Sequence, residues 1–134
     1  MGCDIHVHVE VKIDGEWHHY NHPRVERNYA LFHKMAGVRD GEDDPIAQPR
    51  GLPDDISFMT RFDAEEWSGD AHSHSWLSAT ETQEVINWHN KKYGDPYPQL
   101  FGYVFGNSFS SVHKYPDESP PGVTDVRIVF WFDN

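Results

Sequence analysis

The amino-acid sequence predicts an α+β fold: a mostly antiparallel sheet of about four strands with two or three helices packed on it. Three observations carry that expectation. The opening residues alternate apolar and polar side chains and run into Asp14-Gly15, the dipeptide of a two-residue hairpin. Two later stretches place apolar residues at helical spacing and bring their own start and stop signals. The closing Val126-Arg-Ile-Val-Phe-Trp-Phe132 is nearly continuous in β-prone apolar residues, as a strand buried on both faces requires. A chain of 134 residues, 37% hydrophobic, is long enough for one core, so residues 1–134 read as a single domain.

The first strand is expected from about Cys3 to Ile13. Side chains two apart share a strand face. Cys3, Ile5, Val7, Val9, Val11 and Ile13 therefore form an apolar side, and Asp4, His6, His8, Glu10 and Lys12 a polar one. Asp14-Gly15 favours a type I′ turn, after which Glu16-Trp17-His18-His19-Tyr20 returns antiparallel. Pairing Ile13 with Glu16 puts Glu10 opposite His19, on the face of His6 and His8; a slip of one residue would exchange the faces.

Asn28 is positioned to cap a short helix that Gly37 ends, with Leu31, Phe32, Met35 and Ala36 as its apolar stripe. From Val38 to Ser57 Gly, Pro and Asp dominate, a loop long enough to point to function. A short helix is expected within Phe58–Trp67. The segment "GDAHSHSWL" precedes Ser78-Ala-Thr-Glu81, a capping box opening a helix to about Tyr93, with Gly94 as its stop and Pro96 beyond. Phe101 to Val112 is β-like, and "YPDESPPG" is a loop that proline keeps irregular.

A net charge of −11 with histidine neutral repels nucleic-acid phosphate, which argues against extended DNA or RNA binding. One cysteine leaves no internal disulfide and suits a reducing compartment. Cys3 falls on the apolar side, where burial makes a thiol inert. No apolar run is long enough for a membrane span and the opening residues lack a signal-peptide pattern, so a cytoplasmic protein is expected. Gly2 does not complete a myristoylation motif, because His6 stands where Ser or Thr belongs.

Ten scattered histidines are the compositional oddity, and imidazole is both the commonest metal ligand and a group that titrates near neutrality. In Asp4-x-His6-x-His8 two imidazoles point the same way from one strand and reach one cation, with a carboxylate as third ligand or ring orienter. This stretch resembles the opening strand of the polymerase-and-histidinol-phosphatase phosphoesterases and of amidohydrolases. The likeness covers about five residues and implies catalytic metal; those families build it on a much longer barrel, so chemistry transfers and fold does not. Asp4, His6, His8 and His72 are the expected ligands of a divalent zinc, manganese or magnesium ion. His6, His72 and His74 are the expected catalytic groups.

In Asp70-Ala-His72-Ser-His74-Ser-Trp76, just before a helix N-terminus, Ser73 and Trp76 are candidate substrate contacts. Arg50 is a candidate for gripping a phosphate or carboxylate. Ser73 between two imidazoles also raises a nucleophile–base pair, although no GxSxG elbow is present. Each residue has a plainer reading beside this one. Histidines decorate solvated strands, Ser73, Ser75 and Ser78 satisfy backbone groups around a turn with Trp76 anchoring the core, and Arg50 or Arg27 forms ion pairs.

Taken together, MGCDIH, "RNYALF", "PRGLPDD", "HSHSWL" and the closing "FWFDN" look like a group of short proteins of bacteriophages and bacteria. That likeness spans nearly the whole chain and implies context, a small phage-encoded cytoplasmic protein, but no established activity; phage proteins of this size often act against host defence. Three functions then compete. One is a metal-assisted hydrolase of a small phosphoester or nucleotide. Another is a protein that sequesters a small anionic or nucleotide ligand without turnover, its pocket completed by homo-oligomerisation. The third is an inhibitory protein acting through its acidic surface.

Overall fold

The computed structural model describes residues 2–94 and 122–134; the expected strand at 101–112, Pro96 and nearly all of "YPDESPPG" lie outside them. Strands β1 (Asp4–Ile13), β2 (Glu16–Asn21), β3 (Ala71–Ser78) and β4 (Val123–Asp133) form one antiparallel sheet in the spatial order β2-β1-β4-β3. Helices α1 (Tyr29–Ala36), α2 (Phe58–Glu66) and α3 (Ala79–Tyr93) complete an α+β fold. Among the described residues no helix is long and apolar enough to cross a membrane.

The hairpin follows its turn chemistry. Asp14 and Gly15 have φ of 51° and 82°, the pair of positive values that a type I′ turn demands. Ile13 pairs with Glu16 and Glu10 with His19, as the turn predicts. A shift in register between Val9 and Glu10 then brings Val9 opposite Asn21.

One sheet face is the apolar core. Ile5, Val7, Val9 and Val11 of β1 meet Ile128, Phe130 and Phe132 of β4 and Leu77 of β3. Helix α1 lays Leu31, Phe32, Met35 and Ala36 on this face, and α3 adds Ala79 and Val85. Each large side chain so buried contributes about 2 kcal/mol. The caps are those the sequence announces. The Asn28 side chain accepts from the Leu31 N–H, Gly37 turns left-handed at φ 72°, and Ser78 and Glu81 cap each other's backbone.

The other face is polar and buried as well. Glu10 is fully buried, and its carboxylate accepts from the Ser57 N–H at 2.9 Å and the Thr60 hydroxyl at 2.8 Å. Arg127 of β4 donates to the same carboxylate from Nε at 3.0 Å and Nη2 at 2.8 Å. Ser57 is the N-cap of α2, so this network ties the start of α2 to the sheet. The helix is inverted as a result. Thr60 and Ala64 turn inward, whereas Phe58, Met59 and Phe62 are 76%, 55% and 53% exposed. A polar sheet face calls for polar groups from whatever covers it.

"GDAHSHSWL" differs from its turn-and-cap reading: most of it is β3, bonded along β4. The ladder to β4 outweighs the local serine–backbone bonds that would make a turn. The strand is irregular, because His72 pairs with Phe132 and Ser75 with Phe130, so that Ser73 and His74 together oppose Trp131. This is a β-bulge, and Ser73 within it has φ 57°.

Candidate metal centre

Four polar side chains from separate elements converge on the buried polar face. His8 comes from β1, His19 from β2, His22 from just past β2, and Asp63 from α2. Nε2 of His8 lies 2.8 Å from Asp63 Oδ2, and its Nδ1 lies 2.9 Å from His19 Nε2. The rings of His8 and His22 stack at 4.0 Å with only 5° between their planes. One ligand atom from each of His8, His22 and Asp63 falls within 4.8 Å of the others, as a shared cation requires.

Protonation is set by the surroundings. Burial lowers the His8 pKa to about 4, so that its ring is neutral at pH 7. Burial and then the neighbouring His22 also lower that of His19. His22 Nδ1 lies 2.9 Å from the Val7 carbonyl, which only accepts; that nitrogen therefore carries the hydrogen. In the neutral ring Nε2 then presents a lone pair toward Asp63 Oδ2 at 3.7 Å. Asp63 Oδ2 thus lies within reach of two ring nitrogens, His8 Nε2 at 2.8 Å and His22 Nε2 at 3.7 Å. The side chains grade from inside to outside, with His8 3%, Asp63 28% and His22 47% exposed. Beside His22 opens a cleft of about 490 Å³, whose lining includes His6, His22, Arg24 and Arg27.

Of the residues expected at a site, the structure brings only His8 into this cluster. The Asp4 carboxylate takes a two-pronged ion pair from Arg27, both contacts 3.0 Å. His6 contacts Asp133 Oδ2 at 2.5 Å and packs on Trp67 at 4.2 Å between ring centres. Residues two apart on a strand stand about 6.6 Å apart, and each has found its own partner. His72 departs for a different reason. The bulge turns it toward Phe132, at 6.2 Å between rings, on the core side of the sheet, whereas His74 keeps to the Trp131 side at 5.8 Å. Burial and then His72 lower the His74 pKa.

Arg50 is committed internally. It donates to both carboxylate oxygens of Glu81 and to the Trp76 carbonyl, and its guanidinium lies 4.6 Å over the Trp76 ring. This ion pair is the first cause that holds Glu81 down at about 2. Ser73 lies next to His72, its Oγ 3.0 Å from Nδ1.

His22 and Asp63 escaped sequence reasoning. Asp63 had one signal, since with Thr60 it sits three residues apart on the helix side opposite Phe58 and Phe62. Comparison with protein-family models, curated proteins and solved structures gives no match for this chain.

Proposed function

We propose that this protein is a metal-assisted hydrolase of a small phosphoester or nucleotide, with one divalent ion held by His8, His22 and Asp63. The observation that carries the reading is the convergence of His8, His22 and Asp63, one ligand atom of each lying within 4.8 Å of the others. Two imidazoles and one carboxylate leave coordination positions open for water and substrate, the pattern of catalytic rather than structural zinc sites. Mixed nitrogen and oxygen donors favour zinc or manganese over magnesium.

Were His8 Nε2 to hold the ion, its Nδ1–H would donate to His19 Nε2 2.9 Å away, and His19 would orient the ring from behind. The ion's chemistry is to activate water and offset the charge of a phosphoester. Arg24 lines the adjoining cleft and is the cation there nearest to hand for an anionic substrate, since Arg27 is paired with Asp4. The single buried cysteine accords with a reducing, cytoplasmic setting.

The test is zinc and manganese binding by equilibrium dialysis, followed by hydrolysis of bis(p-nitrophenyl) phosphate. One ion per chain, lost in His22→Ala and Asp63→Ala together with the hydrolysis, is the expected outcome. Absence of binding at micromolar metal ends the reading.

A further inference from the structure

We propose that the β3 bulge is a second reactive site, in which Ser73 is a nucleophile toward activated acyl esters, with His72 as its base and Asn134 as a positioning residue. Ser73 Oγ lies 3.0 Å from His72 Nδ1, and His72 Nε2 lies 2.5 Å from Asn134 Oδ1. The proton positions follow from the last contact. An amide oxygen accepts only, so the neutral ring carries its hydrogen on Nε2 and presents a lone pair at Nδ1. The Ser73 hydroxyl must then donate to Nδ1, which is the alignment of a serine poised to lose its proton. Nucleophile, base and orienting group thus stand in line, and such constellations are recognised by geometry rather than by sequence position.

The backbone adds a second observation. Ser73 has φ 57°, a left-handed conformation that costs a non-glycine residue energy and that clusters at functional sites. The bulge sets Ser73 and His74 together against Trp131, which releases Ser73 from strict alternation. Ser73 and His72 are partly exposed, on a strand at the sheet's edge among the described residues, so an ester can approach from outside the ladder.

In the step itself, Ser73 Oγ bonds to the ester carbonyl carbon while its proton passes to His72 Nδ1. The imidazolium then returns that proton to the departing alkoxide as the C–O bond breaks. Water then adds to the acyl carbon, losing a proton to His72 Nδ1, and that proton returns to Ser73 Oγ as the acyl C–Oγ bond breaks and the acid leaves. No metal takes part, so this site is independent of His8, His22 and Asp63.

The test is labelling of the whole protein with an alkyl fluorophosphonate, read by peptide mass spectrometry, alongside p-nitrophenyl acetate hydrolysis, each with and without EDTA. One adduct on Ser73, formed equally in EDTA, is expected. Ser73→Gly, which suits the positive φ and preserves the fold, should abolish it. His72→Ala should slow labelling by about 100-fold or more. Asn134→Ala should slow it less, and Asn134→Asp should restore it with a shifted pH profile. Absence of an adduct, an adduct on another residue, or unchanged labelling in His72→Ala overturns the proposal. Loss of labelling in EDTA overturns it too, because the nucleophile would then belong to metal chemistry.

Discussion

Replacing Glu10 by alanine should severely damage the fold from the polar face of the sheet. Glu10 is fully buried and accepts four hydrogen bonds, two from Arg127 and two from the first turn of α2. Alanine would leave the Arg127 guanidinium, 7% exposed, with the largely exposed Asp55 as its remaining carboxylate. Removing one partner of a buried ion pair costs about 3–5 kcal/mol, because the other charge stays desolvated. The donors on Ser57 and Thr60 lose their acceptor in the same substitution, at about 1–3 kcal/mol each if they stay dry. These costs overlap, so about 4 kcal/mol is the expectation, against a total stability of about 5–15 kcal/mol. With a urea slope of about 2 kcal/mol per molar, the midpoint should fall by about 2 M. The double variant Glu10→Leu, Arg127→Met removes both charges and should cost less than the single one. A Glu10→Ala loss below about 1 kcal/mol, or a double variant worse than the single, would refute the reasoning. Because the same network seats α2, Glu10→Ala should also weaken zinc binding at Asp63.

Other outcomes are expected alongside it. His8 has a pKa lowered from 6.5 to about 4, so the folded state keeps it neutral while an unfolded chain protonates it. Its contribution to stability is complete above about pH 6.5 and falls away toward pH 4, by about 3 kcal/mol in all. Urea unfolding at pH 7.5 and 4.5 should show that loss, and a His8→Gln variant should show less of it. Saturating zinc, at a hundred times its dissociation constant, should stabilise the protein by about 2.7 kcal/mol, read as a raised midpoint absent in His22→Ala. Cys3 is fully buried and its thiol pKa is raised chiefly by that burial, so a disulfide reagent should react with it only on unfolding. Gly37→Ala, at φ 72°, should cost about 1 kcal/mol by thermal melting.

The parts of this fold legible in the sequence are those written in local chemistry. Asp14-Gly15 fixes a turn whose geometry dictates the hairpin register, and with it the approach of His19 to His8. Asn28, Gly37, Ser78 and Glu81 mark helix ends through side chains that bond their own backbone. The segment at β3 was opaque because Ser and His alternate there with a bulge hidden among them, and only β4 alongside makes a strand of it. The cluster of His8, His22 and Asp63 was opaque for a related reason. His22 and Asp63 are 41 residues apart in the chain, and what joins them is the docking of α2. That docking follows from a buried carboxylate, Glu10, whose burial is a tertiary fact.

The pairing of β1 with β4, which joins residues 4–13 to residues 123–133, also bears on how the protein is made. During synthesis the ribosome delivers the hairpin, α1, α2, β3 and α3 before β4, the strand that joins β1 to β3. Until then the valines of β1 and the inner faces of α1 and α3 lack their main template, and the nascent chain presents sticky surface to its neighbours. Closing so large a loop is entropically slow, and folding should lag behind translation in a way that invites chaperone attention.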